Sequence, residues 1–286
     1  MNEATFFAGD LAEPSNLTVS ELMYNPPGSS EDLEFIELVN LSGTDTIELG
    51  GARFNEGVQF SFPINTRLAP GGRLLLVSDE EAFVSHYGPG LPIVGQYDGL
   101  LDNSGEQLVI ENSTGNVILN FTYNDGSEWP SGSDGEGYSL VSRDSDLSDA
   151  LSWRDSDERM GNPGESDNTR FSGLPSTDED RDGVEALLEY ATGGDDRSPG
   201  DDLATPVLSI SRDGRLEIMI SLNLSAFDID ISLEQTSDLV TWEPLVGFER
   251  IAIIRNQAKG TARVVYRATT PQESSTKFLR LRATLR

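Results

Sequence analysis

The chain has 286 residues, enough for about two ordinary domains, and its 36% hydrophobic content with 28 Gly and 14 Pro argues for many turns and an all-β fold. With 20 basic against 49 acidic residues the net charge is −29, which disfavours nucleic acid and anionic membrane as partners, because both require phosphate charge to be neutralised. Cysteine is absent, excluding disulfides, thiolate catalysis and Cys-ligated zinc, and neither a membrane-spanning run of roughly 20 apolar residues nor a signal-peptide pattern is present.

Residues 1–14 read as an N-terminal tail. Short alternating or apolar runs then predict strands over 17–24, 34–39, 46–49, 58–62 and 73–78. A short helix is predicted over 79–87 with Asp79 as its cap, followed by strands over 91–96, 107–111, 117–123 and 138–142. Residues 112–116 have the composition of a hairpin loop. From 143 to 177 Asp, Ser, Gly and Pro dominate, which reads as irregular chain and linker. A helix follows over 184–191, apolar at Val184, Leu187, Leu188 and Ala191 and stopped by Gly193 and Gly194. Strand patterns return over 207–211, 215–222, 229–235, 249–254, 262–268 and 278–285. The organisation expected is two β-sandwiches, 15–165 and 205–286, joined by a linker over 166–204 that carries a loop and a helix.

Charge is uneven. The last 43 residues hold nine basic and two acidic side chains, a net of +7, against −36 for the first 243. The expected role of these C-terminal cations is a solvated strand face, with a salt-dependent contact between the two ends or between molecules as the alternative.

Several short motifs follow one another in the first region: VSELMYNP at 19–26, EFIELVN at 34–40, FSFP at 60–63, LAPGG at 68–72, WP at 129–130, DGEGYSL at 134–140, WR at 153–154 and GNPG at 161–164. In this order they resemble the bacterial lamin tail domain family over about residues 15–165. The resemblance implies an immunoglobulin-like β-sandwich used as a non-catalytic interaction module, often in secreted multidomain bacterial proteins. The acidity of this chain departs from the animal lamin tails and speaks against chromatin binding. Glu21, Glu37, Asp125 and Asp134 are carboxylates near strand ends in that pattern and are weighed as a cation site. Alternation puts Glu21 and Glu37 on water-facing positions, so no site is assigned to them.

The sharpest local signal runs from Asp178 to Glu189 and fits D-x-[DN]-x-[DN]-G-x5-E. Asp178, Asp180 and Asp182 occupy positions 1, 3 and 5, Gly183 permits the turn, the Val184 carbonyl falls at position 7 and Glu189 at position 12. Calcium takes six to eight oxygens on such a loop, with Ala186 at position 9 leaving one ligand to water. At this chain's residue frequencies the full pattern arises by chance roughly 0.004 times. No entering helix precedes it, so the unit is half an EF-hand. The loop with its following helix resembles the single calcium repeats of the dockerin and thrombospondin type 3 families. A dockerin pairs two such repeats, and one is present. Residues 205–286 resemble immunoglobulin-like C-terminal modules of secreted bacterial proteins, on ISLEQTSDLVTW at 231–242 and KFLRLR at 277–282.

Catalytic constellations are sparse. The single histidine, His86, would have to serve any triad or zinc cluster, and it reads instead as a surface residue of the short helix. Trp129, Trp153 and Trp242 are read as core or loop anchors rather than a sugar-stacking platform. The sequence therefore predicts a non-catalytic, calcium-binding structural or interaction module, extracellular or at the cell surface, forming the C-terminal part of a larger bacterial protein. Its ligand would be a protein or a polysaccharide, without nucleic acid and without membrane insertion. The alternative is a carbohydrate-binding accessory region of, or a weak hydrolase attached to, an upstream enzyme.

Overall fold

The computed structural model describes residues 9–28, 30–200, 203–271 and 277–286, so the first eight residues of the expected tail lie outside it. The chain divides after Asp167 into two compact units. In the first, the strands are β1 Asp10–Leu11, β2 Leu17–Met23, β3 Phe35–Asn40, β4 Ile47–Glu48, β5 Arg53–Glu56, β6 Phe60–Ser61, β7 Arg67–Leu68 and β8 Arg73–Val77. Helix α1 Glu80–Tyr87 follows, then β9 Ile93–Gln96, β10 Gln107–Glu111, β11 Val117–Thr122, β12 Leu140–Ser142 and β13 Trp153–Asp155. They form a six-stranded sheet in the order β13-β12-β2-β3-β8-β9, a four-stranded sheet β11-β10-β5-β6 and a small sheet β1-β4-β7.

Alternation places Leu17, Val19, Ile36, Leu38, Leu74 and Leu76 on one face of the six-stranded sheet, where they meet Phe54, Leu108, Ile110 and Phe121 of the four-stranded sheet in one core. A bulge between Val19 and Glu21 shifts the register, so that Leu22 and Tyr24 also reach this core. Trp153 is fully buried in it and donates its indole N–H to the Leu147 carbonyl at 2.8 Å. The stretch expected to be irregular thus contributes an edge strand, β13, paired with β12. It is held there by one large aromatic side chain rather than by a strand-like sequence pattern.

The other face of the six-stranded sheet is covered too. Met23, Phe35, Leu75 and Val77 pack against Phe83 of α1, with Tyr87, Leu91 and Ile93 around them. The helix begins where expected, with Asp79 Oδ1 accepting the Ala82 N–H at 2.8 Å. It carries the chain from β8 to a parallel β9. Sheets of this kind with both faces covered have no water-facing side, and this overturns the expectation for Glu21 and Glu37: both are buried.

The second unit contains α2 Ala186–Thr192 and strands β14 Val207–Ile210, β15 Leu216–Asn223, β16 Ile229–Thr236, β17 Glu243–Pro244, β18 Phe248–Asn256, β19 Thr261–Ala268 and β20 Phe278–Leu285. One sheet is β14-β15-β19-β18, the other β17-β16-β20. Ile218, Ile220, Leu222, Ile253, Ala262 and Val264 are buried from the first sheet, Ile229 and Leu281 from the second. Helix α2 packs against β15 and β20, with Leu187 and Ala191 clustered with Ala226 and Ile229. The boundary after Asp167 divides residues 166–204, read as a linker, so that the acidic loop and α2 fall within the second unit.

Four of the C-terminal arginines, Arg267, Arg280, Arg282 and Arg286, lie in ion pairs of this unit. Arg267 pairs with Glu217 across β15 and β19, Arg280 with Glu234 across β16 and β20, and Arg286 with Asp230. Part of the positive end of the sequence is therefore matched by acids of β15 and β16, where cross-strand opposite charges each add about 0.2–1 kcal/mol. Together the two units make the protein all-β, with several sheets and two short helices among the described residues.

Candidate metal centre

The loop at 178–189 curls as its glycine and acids dictate. Arg181 and Gly183 both have positive φ, +64° and +95°, and a side chain on Gly183 would meet open space, so its need is conformational rather than steric. Inside the turn the Asp182 N–H donates to Asp178 Oδ1 and Asp180 Oδ1, each at 3.1 Å. The Gly183 N–H reaches Asp178 Oδ2 at 3.1 Å and the Val184 N–H reaches Asp182 Oδ1 at 2.9 Å. These bonds draw one oxygen each of Asp178, Asp180 and Asp182 to within 4.8 Å of one another.

Two observations bear on whether a cation fits. Asp180 Oδ2 is buried and accepts no hydrogen bond. Desolvation first, and then the charges of Asp182, Asp178 and Asp196, push the Asp180 carboxyl above its ordinary range. A hard cation with oxygen ligands would relieve both conditions, and carboxylate donors suit magnesium, calcium and manganese alike. Glu189 is buried at 1% exposure on the inner side of α2, but its carboxylate is not within the 4.8 Å group. Val184 is half-buried and precedes the helix, which begins at Ala186 with Glu185 as its cap rather than at 184 as the sequence pattern predicts.

In place of an entering helix, the preceding segment caps α2 directly. The Ala186 and Leu187 N–H groups donate to the carbonyls of Thr177 and Pro175, at 2.7 and 3.1 Å. Sequence reasoning missed a further part of this architecture. Asp196 Oδ1 accepts the Glu179 N–H at 2.9 Å, and Asp182 Oδ2 accepts the Gly200 N–H at 3.3 Å, so the segment after α2 folds back onto the loop. Asp196 stands outside the motif spacing, and no sequence pattern marks it.

The four carboxylates Glu21, Glu37, Asp125 and Asp134 do not form a site. Among the described residues the only group of three or more such side chains within metal-binding distance is Asp178, Asp180 and Asp182. Asp134 instead accepts the Asn25 side-chain N–H at 2.8 Å. Glu37 Oε1 accepts from the Ser20 hydroxyl at 2.5 Å and is ion-paired with Arg73, while Glu37 Oε2 accepts the Gly164 N–H at 2.6 Å. Glu21 Oε1 accepts from the Ser139 hydroxyl at 2.5 Å and from the Asn162 N–H at 3.2 Å, and burial raises the Glu21 carboxyl to about 8. A third buried acid, Glu34, accepts from the Tyr97 hydroxyl at 3.1 Å and the Leu101 N–H at 2.9 Å, and burial lifts it to about 7.

His86 is exposed on α1 and its ring meets Tyr87 edge-on at 4.7 Å. Trp129 packs against the core 6.4 Å from Trp153, and Trp242 lies half-buried beneath the Arg280 guanidinium at 4.2 Å. In the first unit Trp129 and Trp153 serve one core, and in the second Trp242 carries a cation.

These features define a β-rich protein whose first unit is an immunoglobulin-like sandwich and whose second unit carries an acidic turn. The family model that matches is the lamin tail domain, over residues 11–125, within the first unit. Searches of curated proteins and of solved structures found no match. No helix among the described residues is long and apolar enough to cross a membrane.

Proposed function

We propose that this chain is a non-catalytic structural and interaction module, secreted or displayed at a cell surface as part of a larger bacterial protein, in which one calcium ion braces the second unit. The observation that carries the reading is the convergence of Asp178, Asp180 and Asp182 to within 4.8 Å on a loop that leads directly into α2. Those three carboxylates, the Val184 carbonyl and Glu189 would hold the ion, with Glu189 closing the site from the helix. The chemistry it supplies is charge neutralisation: without it the loop repels itself, and the acids of the chain add to that repulsion. The same field attracts the ion, and a lone loop without a paired partner has the affinity of extracellular modules, about 10⁻⁴ to 10⁻³ M, which suits a calcium-rich exterior.

The lamin tail match supports the interaction role of the first unit, and the C-terminal sheets are proposed as a second immunoglobulin-like module. The ligand class proposed is a protein or polysaccharide. The tryptophan packing favours the structural reading over the carbohydrate-binding accessory one, because Trp153 and Trp129 are committed to a core.

Isothermal titration of the full chain with calcium tests the proposal. One site of submillimolar to millimolar affinity is expected, lost when Asp180→Ala is combined with Asp182→Ala. Magnesium should bind poorly, because its octahedral demand does not suit bidentate Glu189. Absence of calcium heat in the parent chain would defeat the reading.

A further inference from the structure

The outer face of the six-stranded sheet holds a polar island within an apolar cover. Glu21 on β2 and Glu37 on β3 stand directly opposite each other in register, and both are buried. What covers them is a short segment after β13. Its Asn162 and Gly164 N–H groups donate to Glu21 and Glu37, the Met160 carbonyl accepts from the Tyr87 hydroxyl at 2.7 Å, and the Met160 N–H donates to the Gly137 carbonyl at 2.6 Å. A Cβ on Gly161 would lie 2.1 Å from Glu21 Oε1, so the backbone approaches the carboxyl as closely as glycine allows. Met160 is held at φ +74°, a conformation that costs a non-glycine residue and persists only because its neighbours fix it.

We propose that residues 160–164 form a pH-sensitive strap, closed over the sheet while the Glu21 carboxyl is neutral and opening when it ionises opposite Glu37. The charges around the pair make the sign unambiguous. Arg73 on β8 is the cation paired with Glu37, and Glu21 accepts hydrogen bonds from neutral donors, the Ser139 hydroxyl and the Asn162 amide. Asp167 adds further negative potential, partly offset by Arg154 on β13, and Tyr87 of α1 contributes a neutral hydroxyl. Arg159, which precedes the strap, is exposed. Ionised Glu21 therefore faces Glu37 across one strand spacing in a buried site where the one arginine, Arg73, is paired with Glu37.

Closed, Glu21 holds its proton up to about 8; in an open, hydrated state it reverts toward 4.5. The closed form is thus fully favoured below about pH 4.5 and loses ground as pH rises through that window, levelling off above the upper value. Opening should increase by at most about tenfold per pH unit, or roughly fiftyfold between about pH 6 and about pH 8.

Hydrogen exchange of the full chain reads this directly, expressed as protection factors so that the intrinsic pH dependence of exchange is divided out. The Asn162 and Gly164 amides should lose protection on that scale, through an opening that leaves Leu38 and Leu75 protected. Glu21→Gln, which keeps the shape and removes the titration, should abolish the dependence, and Glu34→Gln should not. The proposal is overturned if strap protection changes by less than about threefold, if the strap exchanges only in step with Leu38 and Leu75, or if the dependence survives in Glu21→Gln. Should Glu21→Gln not fold, the parent's contrast between the strap and Leu38 decides alone.

Discussion

Glu21 and Glu37 face each other in the middle of a sheet and are covered, whereas Asp178, Asp180 and Asp182 crowd together on a turn that is largely open to solvent. The first cluster brings its own compensation: an arginine, two serine hydroxyls, two backbone amides and a retained proton. The second satisfies part of its charge with backbone N–H groups and keeps three carboxylates aimed at one point. Burial decides the difference. A covered acid must find a proton or a fixed partner within the fold, while an acid at a surface turn can wait for a mobile cation.

The largest effect should come from breaking the internal compensation. Arg73→Met strands Glu37 in a buried site and should lower the stability of the first unit by about 3–5 kcal/mol in urea unfolding. Arg280→Met removes a similar pair from Glu234 at a partly exposed strand, and there the loss should be about 0–1 kcal/mol. Equal losses at the two positions would break the contrast between covered and open charge.

Opposite pH responses sharpen it. Glu21 and Glu34 are held at about 8 and about 7, against 4.5 in the unfolded chain, so the folded first unit keeps protons that the unfolded chain releases. The contribution of these two groups to its stability is fully present below about pH 4.5 and falls as pH rises through the range up to those values, by about 1.4 kcal/mol per pH unit for each group in its window. Glu234, held below its ordinary value by Arg280, works in reverse: its contribution is present above the unfolded value of 4.5 and is lost as pH falls through the folded one. Unfolding of the first unit followed between about pH 5 and about pH 8 should show the decline, and a flat or rising profile would contradict the burial account.

Calcium should have an intermediate effect confined to the second unit. At about 10 mM, affinities of 10⁻⁴ to 10⁻³ M translate into roughly 1.4 to 2.7 kcal/mol, read as a shift in thermal unfolding that disappears in Asp180→Ala with Asp182→Ala.

What the sequence reveals follows the same division. Strands such as 17–24, 34–39 and 73–78 are legible because their apolar residues alternate on a face that meets the core. The same alternation misleads at Glu21 and Glu37, because a helix and a strap cover the second face and a period-two pattern cannot say what lies beyond it. The acidic turn is legible because Asp178, Asp180 and Asp182 are consecutive in a local spacing. Asp196 is not, since its place against Glu179 depends on the chain turning back after α2. Strand β13 escapes a pattern reading because the burial of Trp153, a tertiary event, holds three residues at the sheet edge.

The most direct test of calcium as the brace of the second unit is hydrogen exchange of the full chain at fixed pH, with about 10 mM calcium and then with chelator. Peptides covering the acidic turn and α2 should gain protection with calcium, and those covering β2 and β3 should stay unchanged. Equal protection of the turn and α2 in the two conditions would contradict the account.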